Sequence, residues 1–249
     1  MTELSCLERG GERLAFLRRD GAGPGVVWLG GFMSDMTGTK AQAVDAWAAR
    51  TGRACLRFDY FGHGRSSGKF VDGTISRWRD DALALIDAQS QGPQILVGSS
   101  MGGWIAMLVA RLRPGRVAGL LLVAPAADFT EVLMWQHMSA EVKREILEKG
   151  VWRRASVHDG ETYPVARALI EDGRNNLILG RAMVVPYPVR ILQGMVDPDV
   201  PWQHALKLAA VIEGDVTTTL VKNGDHRLSM PPDIRLLERT LDGLVEDVR

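Results

Sequence analysis

Cysteine is scarce in this chain. Its 249 residues hold only Cys6 and Cys55, each in a strand-like run, so no disulfide framework is expected and a reducing compartment is the simpler reading. Net charge is also lacking: 30 Lys and Arg balance 30 Asp and Glu. That leaves no basic excess for nucleic acid or an anionic membrane surface. No segment approaches the roughly 20 uninterrupted apolar residues of a membrane span, so no stable membrane insertion is expected. The opening MTELSCLERGGERLAF has an early Glu, no apolar run of signal length and no Arg-rich, acid-poor character, and a cytoplasmic location is expected. Repeats and low-complexity tracts are absent. No His, Asp or Cys cluster has metal-ligand spacing, so neither a metal nor another cofactor is expected.

What the chain does have is an ordinary globular composition, 46% hydrophobic and 24% charged. Its length is enough for one α/β domain, residues 1–249, with a sizeable core. Strand-like and helix-like segments alternate, which predicts an α/β fold with a mostly parallel central sheet and helices on both faces. Leu4 to Arg9 and Arg13 to Arg19, split by Gly10-Gly11, read as an antiparallel edge hairpin. Strands follow at Gly25 to Leu29, Ala54 to Phe58, Gln94 to Val97, Val117 to Val123, Val189 to Gln193 and Val216 to Val221. Helices are expected near Lys40 to Arg50, Ser76 to Ser90, Trp104 to Ala110, Trp202 to Ile212 and Asp233 to Val248. From about 127 to 187 the rhythm breaks. No clear strand is visible there, but Ser139 to Lys149 and Tyr163 to Gly173 have helical patterns, so this stretch reads as a small helical cap.

Two stretches match Gly-x-Ser-x-Gly: Gly98 to Gly102 in ILVGSSMGGW, and Gly64 to Gly68 in GHGRSSGKF. A nucleophile elbow needs a buried strand before the serine, a sharp turn at it and a helix after it. Ser100 follows the apolar run Gln94 to Val97 and precedes an Ala-rich apolar stretch of helical length. Ser66 follows a strand but leads into glycines, serines and scattered charges, a loop composition. Ser100 is therefore the candidate nucleophile.

A serine hydroxyl needs a base, and the base needs an acid to fix its tautomer. After a strand–turn–helix elbow, acid and base come later in the chain, on loops that follow strands. Of five histidines, His63 precedes the elbow, His137 and His158 fall in the cap, and His204 reads as a polar surface position on a helix. His226 directly follows the last strand and is the candidate base. Asp197 and Asp199 both follow the strand ending at Gln193. Asp197 comes first and is preferred as the acid; Asp199 suits a cap for the next helix, and Asp128 after the preceding strand is a further alternative. Asp225 reads as a turn former. Two backbone N–H donors must hold an oxyanion, and Met101 after the nucleophile and Phe32 in Gly30-Gly31-Phe32-Met33 are the candidates. In the cap, Met134, Trp135, Met138 and Met183 are candidates for an acyl pocket, with packing of cap on core as the plainer explanation.

These motifs carry a resemblance. With GTKA at Gly38 to Ala41, ACLRFDYFGHGRSSG, GPQILVGSSMGGW, APAAD, EKGVW, QGMVDPDVPW and DHR at Asp225 to Arg227, the chain resembles the α/β-hydrolase-fold serine hydrolases. Within them it is most similar to the branch of palmitoyl-protein thioesterases and acyl-glucuronide esterases. The resemblance implies hydrolysis of esters or thioesters, through an acyl-serine intermediate on Ser100, Asp197 and His226, of a small-molecule or acyl-protein substrate. Gln193 departs from it, standing where many relatives carry His. A non-catalytic small-ligand receptor on the same fold is the alternative function.

Overall fold

The computed structural model describes residues 3–155 and 162–248. The chain opens with β1 (Leu4–Arg9), β2 (Glu12–Arg19) and β3 (Ala22–Leu29), then α1 (Thr39–Thr51), β4 (Arg53–Phe58), α2 (Ile75–Gln89) and β5 (Gln94–Ser99). It continues through α3 (Met101–Leu112) and β6 (Val117–Val123) into the stretch between sheet strands, which holds α4 (Ala140–Lys149), β7 (Val151–Ala155), β8 (Thr162–Ala166), α5 (Arg167–Arg174) and β9 (Met183–Val184). The last elements are β10 (Val189–Gly194), α6 (Trp202–Val211), β11 (Ile212–Glu213), β12 (Val216–Val221) and α7 (Pro231–Asp247).

Eight strands form one sheet in the order β1-β2-β4-β3-β5-β6-β10-β12. β1 and β2 are antiparallel, as the Gly10-Gly11 turn predicts, and the strands from β4 through β12 pair in parallel. Such a sheet must be covered on both faces, and the strands alternate accordingly. Val26, Ile95, Val97 and Leu121 meet Val44 and Trp47 of α1 and Leu241 and Leu244 of α7. Val27, Leu29, Leu96 and Leu120 meet Trp78 and Leu85 of α2, α3, and Ala205 and Leu208 of α6. Helix α3 is buried from Met101 through Ala110, so its apolar sequence needs no polar stripe. α7 starts at Pro231, two residues earlier than expected, because prolines are tolerated in a first turn whose N–H groups have no helical acceptor.

The stretch between β6 and β10, expected to be a helical cap, is not purely helical. β7 and β8 form an antiparallel ribbon, with Trp152 opposite Val165 and Arg153 opposite Pro164. The expected helix from Tyr163 is shortened at its start. Proline disfavours helical geometry at the residue before it, and Pro164 lacks an N–H, which an edge strand tolerates. Tyr163 to Val165 therefore stays extended and α5 begins at Arg167. The helix after Ser139 forms as expected. The Ser139 hydroxyl accepts from Val142 N–H at 3.3 Å, and Gly150 closes it in the left-handed region at φ 80°.

Candidate active site

The turn at Ser100 is sharp. Ser100 has φ 54° and ψ −118°, a conformation that L residues rarely hold without surrounding support. The support is close packing of strand against helix. A Cβ on Gly98 would lie 2.4 Å from the Gly102 carbonyl oxygen, and one on Gly102 would lie 2.0 Å from the Leu29 carbonyl oxygen. Both glycines are required by contact rather than by flexibility. Ser66 is occupied differently. Its hydroxyl accepts from Ala15 N–H at 2.9 Å and donates to the Asp59 carbonyl at 2.6 Å, clasping β2 to the loop after β4.

His226 sits between the other two candidates. Its Nε2 is 3.0 Å from Ser100 Oγ and its Nδ1 is 2.8 Å from Asp197 Oδ2. A carboxylate can only accept, so Nδ1 carries the proton and Nε2 is left to accept from the serine hydroxyl. The Asp197 side chain is fully buried, yet no lone-pair direction is idle. Oδ1 accepts from Asp199 N–H and Val200 N–H, both at 2.8 Å, and Oδ2 also accepts from Gln193 Nε2 at 3.0 Å. Burial alone would raise its pKa, but the hydrogen bond and charge of His226 and the two amides outweigh it and hold the carboxyl below its ordinary value. Gln193 thus takes up a place behind the acid. Its Nε2 donates also to Val200 and Gly194 carbonyls, while its Oε1 is buried without a partner among the described residues.

The competing residues have other work. Asp199 contributes its amide to Asp197, but α6 begins after Pro201 with no side-chain cap, so the expected helix-cap role is corrected. Asp128 is buried and accepts from Ile178 and Leu179 amides, fastening the end of the cap to the loop after β6. Asp225 shapes its turn by accepting from Leu228 N–H at 2.9 Å. His204 is not a surface residue: it is buried, with Nε2 2.7 Å from the Ala127 carbonyl, because its face of α6 packs onto the sheet end. His137 is exposed, and His158 lies outside the described residues. Asp197, Asp199 and His226 approach within 4.8 Å of one another, correcting the expectation that no such cluster exists. Both ring nitrogens of His226 are nonetheless engaged by Asp197 and Ser100.

Ser100 opens into a cavity of about 440 Å³ whose wall includes Phe32, Met101, Phe129, Leu133, Met134 and Tyr163. Met101 is the first residue of α3, where an amide has no helical acceptor, and the Phe32 loop lies against the elbow: a Cβ on Gly31 would sit 3.4 Å from Ser100 Cβ. Met134 lines this cavity. Met138 lines a smaller one of about 240 Å³, which shares Leu133, Met134 and Arg154 with the first. Trp135 and Met183 line neither. Trp135 instead stacks under the Arg174 guanidinium at 4.8 Å, and Met183 pairs in register with Ile212. Sequence reading passed over Lys40, whose Nζ donates to the Arg227 carbonyl and, at 3.4 Å, to Ser229 Oγ, bracing the loop that carries His226. Burial lowers its pKa to about 8, with Asp225 opposing and Arg227 assisting. The only sequence signal was that GTKA and DHR recur together in the resemblance.

Comparisons with known proteins agree with this architecture. A family profile described as serine aminopeptidase, S33, matches residues 26–171. The chain is 40% identical over 248 residues to the human palmitoyl-protein thioesterase ABHD10, mitochondrial, covering 98% of this chain and 81% of that protein. The mouse α/β hydrolase domain-containing protein 10 superposes with a TM-score of 0.92 at 38% identity, over 99% of this chain and 100% of the other. An Agrobacterium vitis S4 protein superposes at 0.93 with 44% identity, over 98% of each. The expectation of a cytoplasmic location is corrected by these relatives, since the ABHD10 proteins are mitochondrial. No helix among the described residues is long and apolar enough to cross a membrane. With its elbow, sheet order and near full-length match to ABHD10, the chain belongs to the α/β-hydrolase family and is a hydrolase.

Proposed function

We propose that this protein hydrolyses carboxylic esters and thioesters through an acyl-Ser100 intermediate. The observation that carries the reading is the unbroken relay from Ser100 Oγ through His226 to Asp197, at 3.0 and 2.8 Å, opening onto a cleft of about 440 Å³. As Ser100 Oγ attacks the acyl carbon, His226 Nε2 takes the hydroxyl proton, and the adjacent Asp197 carboxylate stabilises the imidazolium. The carbonyl oxygen becomes an oxyanion that accepts from the Met101 and Phe32 amides. Collapse breaks the bond to the leaving thiolate or alkoxide, which receives the proton from His226. Water then attacks the acyl-enzyme, His226 takes its proton, and release of the acid restores Ser100. The relatives' name, palmitoyl-protein thioesterase, supports a fatty acyl thioester as the substrate class, with Met134 and Leu133 against the acyl chain.

The test is pre-steady-state release of p-nitrophenol from an activated ester, with an acyl-thioester run in parallel. A burst stoichiometric with enzyme, absent in Ser100→Ala, is expected. Stoichiometric ligand binding without any burst would make the protein a small-ligand receptor on this fold instead.

A further inference from the structure

His63 stands outside the relay, in the loop after β4, yet it is 3% exposed and both its ring nitrogens face backbone atoms. Nδ1 is 3.1 Å from the Phe61 carbonyl, which can only accept, so the proton is on Nδ1. Nε2 is then a bare acceptor, and Met33 N–H donates to it at 3.2 Å. Met33 is the residue after Phe32, and it holds φ 58°, a strained region for a side chain with a Cβ. A second bond joins the same two loops, from Met36 N–H to Asp59 Oδ1 at 2.7 Å. The rings complete the clamp. His63 packs edge-on against Phe70 and Trp78, at 5.0 and 5.2 Å, and Phe32 packs edge-on against those same two rings, at 4.8 and 5.9 Å.

We infer that His63 is a positioning residue for the oxyanion hole: through Met33 N–H and the shared aromatic cage it fixes the Gly31–Met33 turn so that the Phe32 amide points at the developing charge on the substrate. The inference rests on the acyl-transfer reading above. It requires a neutral ring, because a protonated Nε2 would present a hydrogen to the Met33 hydrogen. Burial supplies that neutrality, lowering the pKa to about 4 against a smaller raising effect of the Phe61 carbonyl.

His63→Phe keeps a ring among Tyr60, Phe70 and Trp78 but removes the acceptor. Loss of one oxyanion donor outright costs about 10²- to 10³-fold in kcat, so a donor left in place but misaimed is expected to cost roughly ten- to a hundredfold. KM should stay within about twofold, and the Ki of a trifluoromethyl ketone, which binds as an oxyanion adduct, should rise by the same factor as kcat falls. Affinity for a substrate analogue with an ether in place of the ester, which presents no carbonyl oxygen to the hole, should not move. His63→Gln, whose side-chain oxygen can accept from Met33 N–H, should recover part of the loss. Should His63→Phe not fold, His63→Gln decides alone, by whether kcat and ketone affinity fall together at fixed KM. A folded variant with wild-type kcat, or one that loses affinity for the ether analogue in step with kcat, overturns the inference. If the wild type itself shows no turnover, the hydrolase reading fails and takes this inference with it; turnover in wild type with an unaffected variant sinks this inference alone.

Discussion

Replacing Asp197 by Asn isolates what the buried carboxylate does. Asn can keep its side-chain oxygen on the Asp199 and Val200 amides, which are 2.8 Å away. Its amide nitrogen then faces His226 Nδ1 and Gln193 Nε2, where the carboxylate now accepts from both. A donor opposite Nδ1 favours the tautomer with the proton on Nε2, aimed at Ser100, and such a ring cannot take the serine proton. A mis-set tautomer of this kind costs up to about 10⁴-fold in kcat, or roughly 5 kcal/mol of barrier. Stability should change far less. Gln193 Nε2 retains the Val200 and Gly194 carbonyls, but one N–H of the new amide faces that nitrogen, donor against donor. The lost hydrogen bond and the unsatisfied N–H together, about 2 kcal/mol, should lower the melting temperature by roughly 4–8 °C for a chain of this size. The assay is kcat on p-nitrophenyl butyrate beside a thermal melt. A folded Asp197→Asn protein with more than a tenth of wild-type kcat would refute the reasoning, and an equally inactive Asp199→Asn would move the acid to Asp199.

The cap residues separate by position. Met134→Ala should flatten the rise of kcat/KM over short to medium acyl chains, which is about fourfold per methylene at ~0.8 kcal/mol, whereas Trp135→Ala should leave that profile intact and lower only the melting temperature. A flattened profile in Trp135→Ala alone would place the acyl chain elsewhere. For His63 the pH dependence of stability has a definite sign. Its folded pKa of about 4 lies below the ordinary 6.5, so the unfolded chain binds the proton first as pH falls. The stability linked to the neutral ring is therefore complete above pH 6.5 and lost progressively down to about pH 4, on the order of 3 kcal/mol in all. Urea melts of wild type and His63→Phe across this window should converge by that amount; parallel curves would refute the burial argument.

Much of the site was legible because each of its parts borders a strand end. The apolar run before Ser100, the loop after Gln193 and the turn after Val221 are all local patterns, and a parallel sheet brings strand ends together at one edge. Local pattern also separated Ser100 from Ser66, since only one of them has strand, turn and helix in succession. The cap was read less well. Tyr163 to Val165 has no decisive period, and whether it extends or coils was settled by Pro164 and by pairing with Val151 to Ala155. The outcome for Met134, Trp135, Met138 and Met183 could not follow from residue type at all, because a large apolar side chain is equally suited to core or pocket and only the packing of cap on sheet assigns its face.

The sequence by itself determined the order of the elements, the elbow and the residues that follow each strand, because periodicity, glycine spacing and strand ends are properties of neighbours along the chain. Tertiary structure decided the rest. The Met33 amide meets His63 across 30 residues, and the Lys40 ammonium meets the Arg227 carbonyl across 187. Gln193 turns its amide onto Asp197 only because the loop after β10 folds back over it. Such contacts have no local signature. They exist where two separately formed loops close on one sheet edge, and the burial that makes them strong is created by that closure alone.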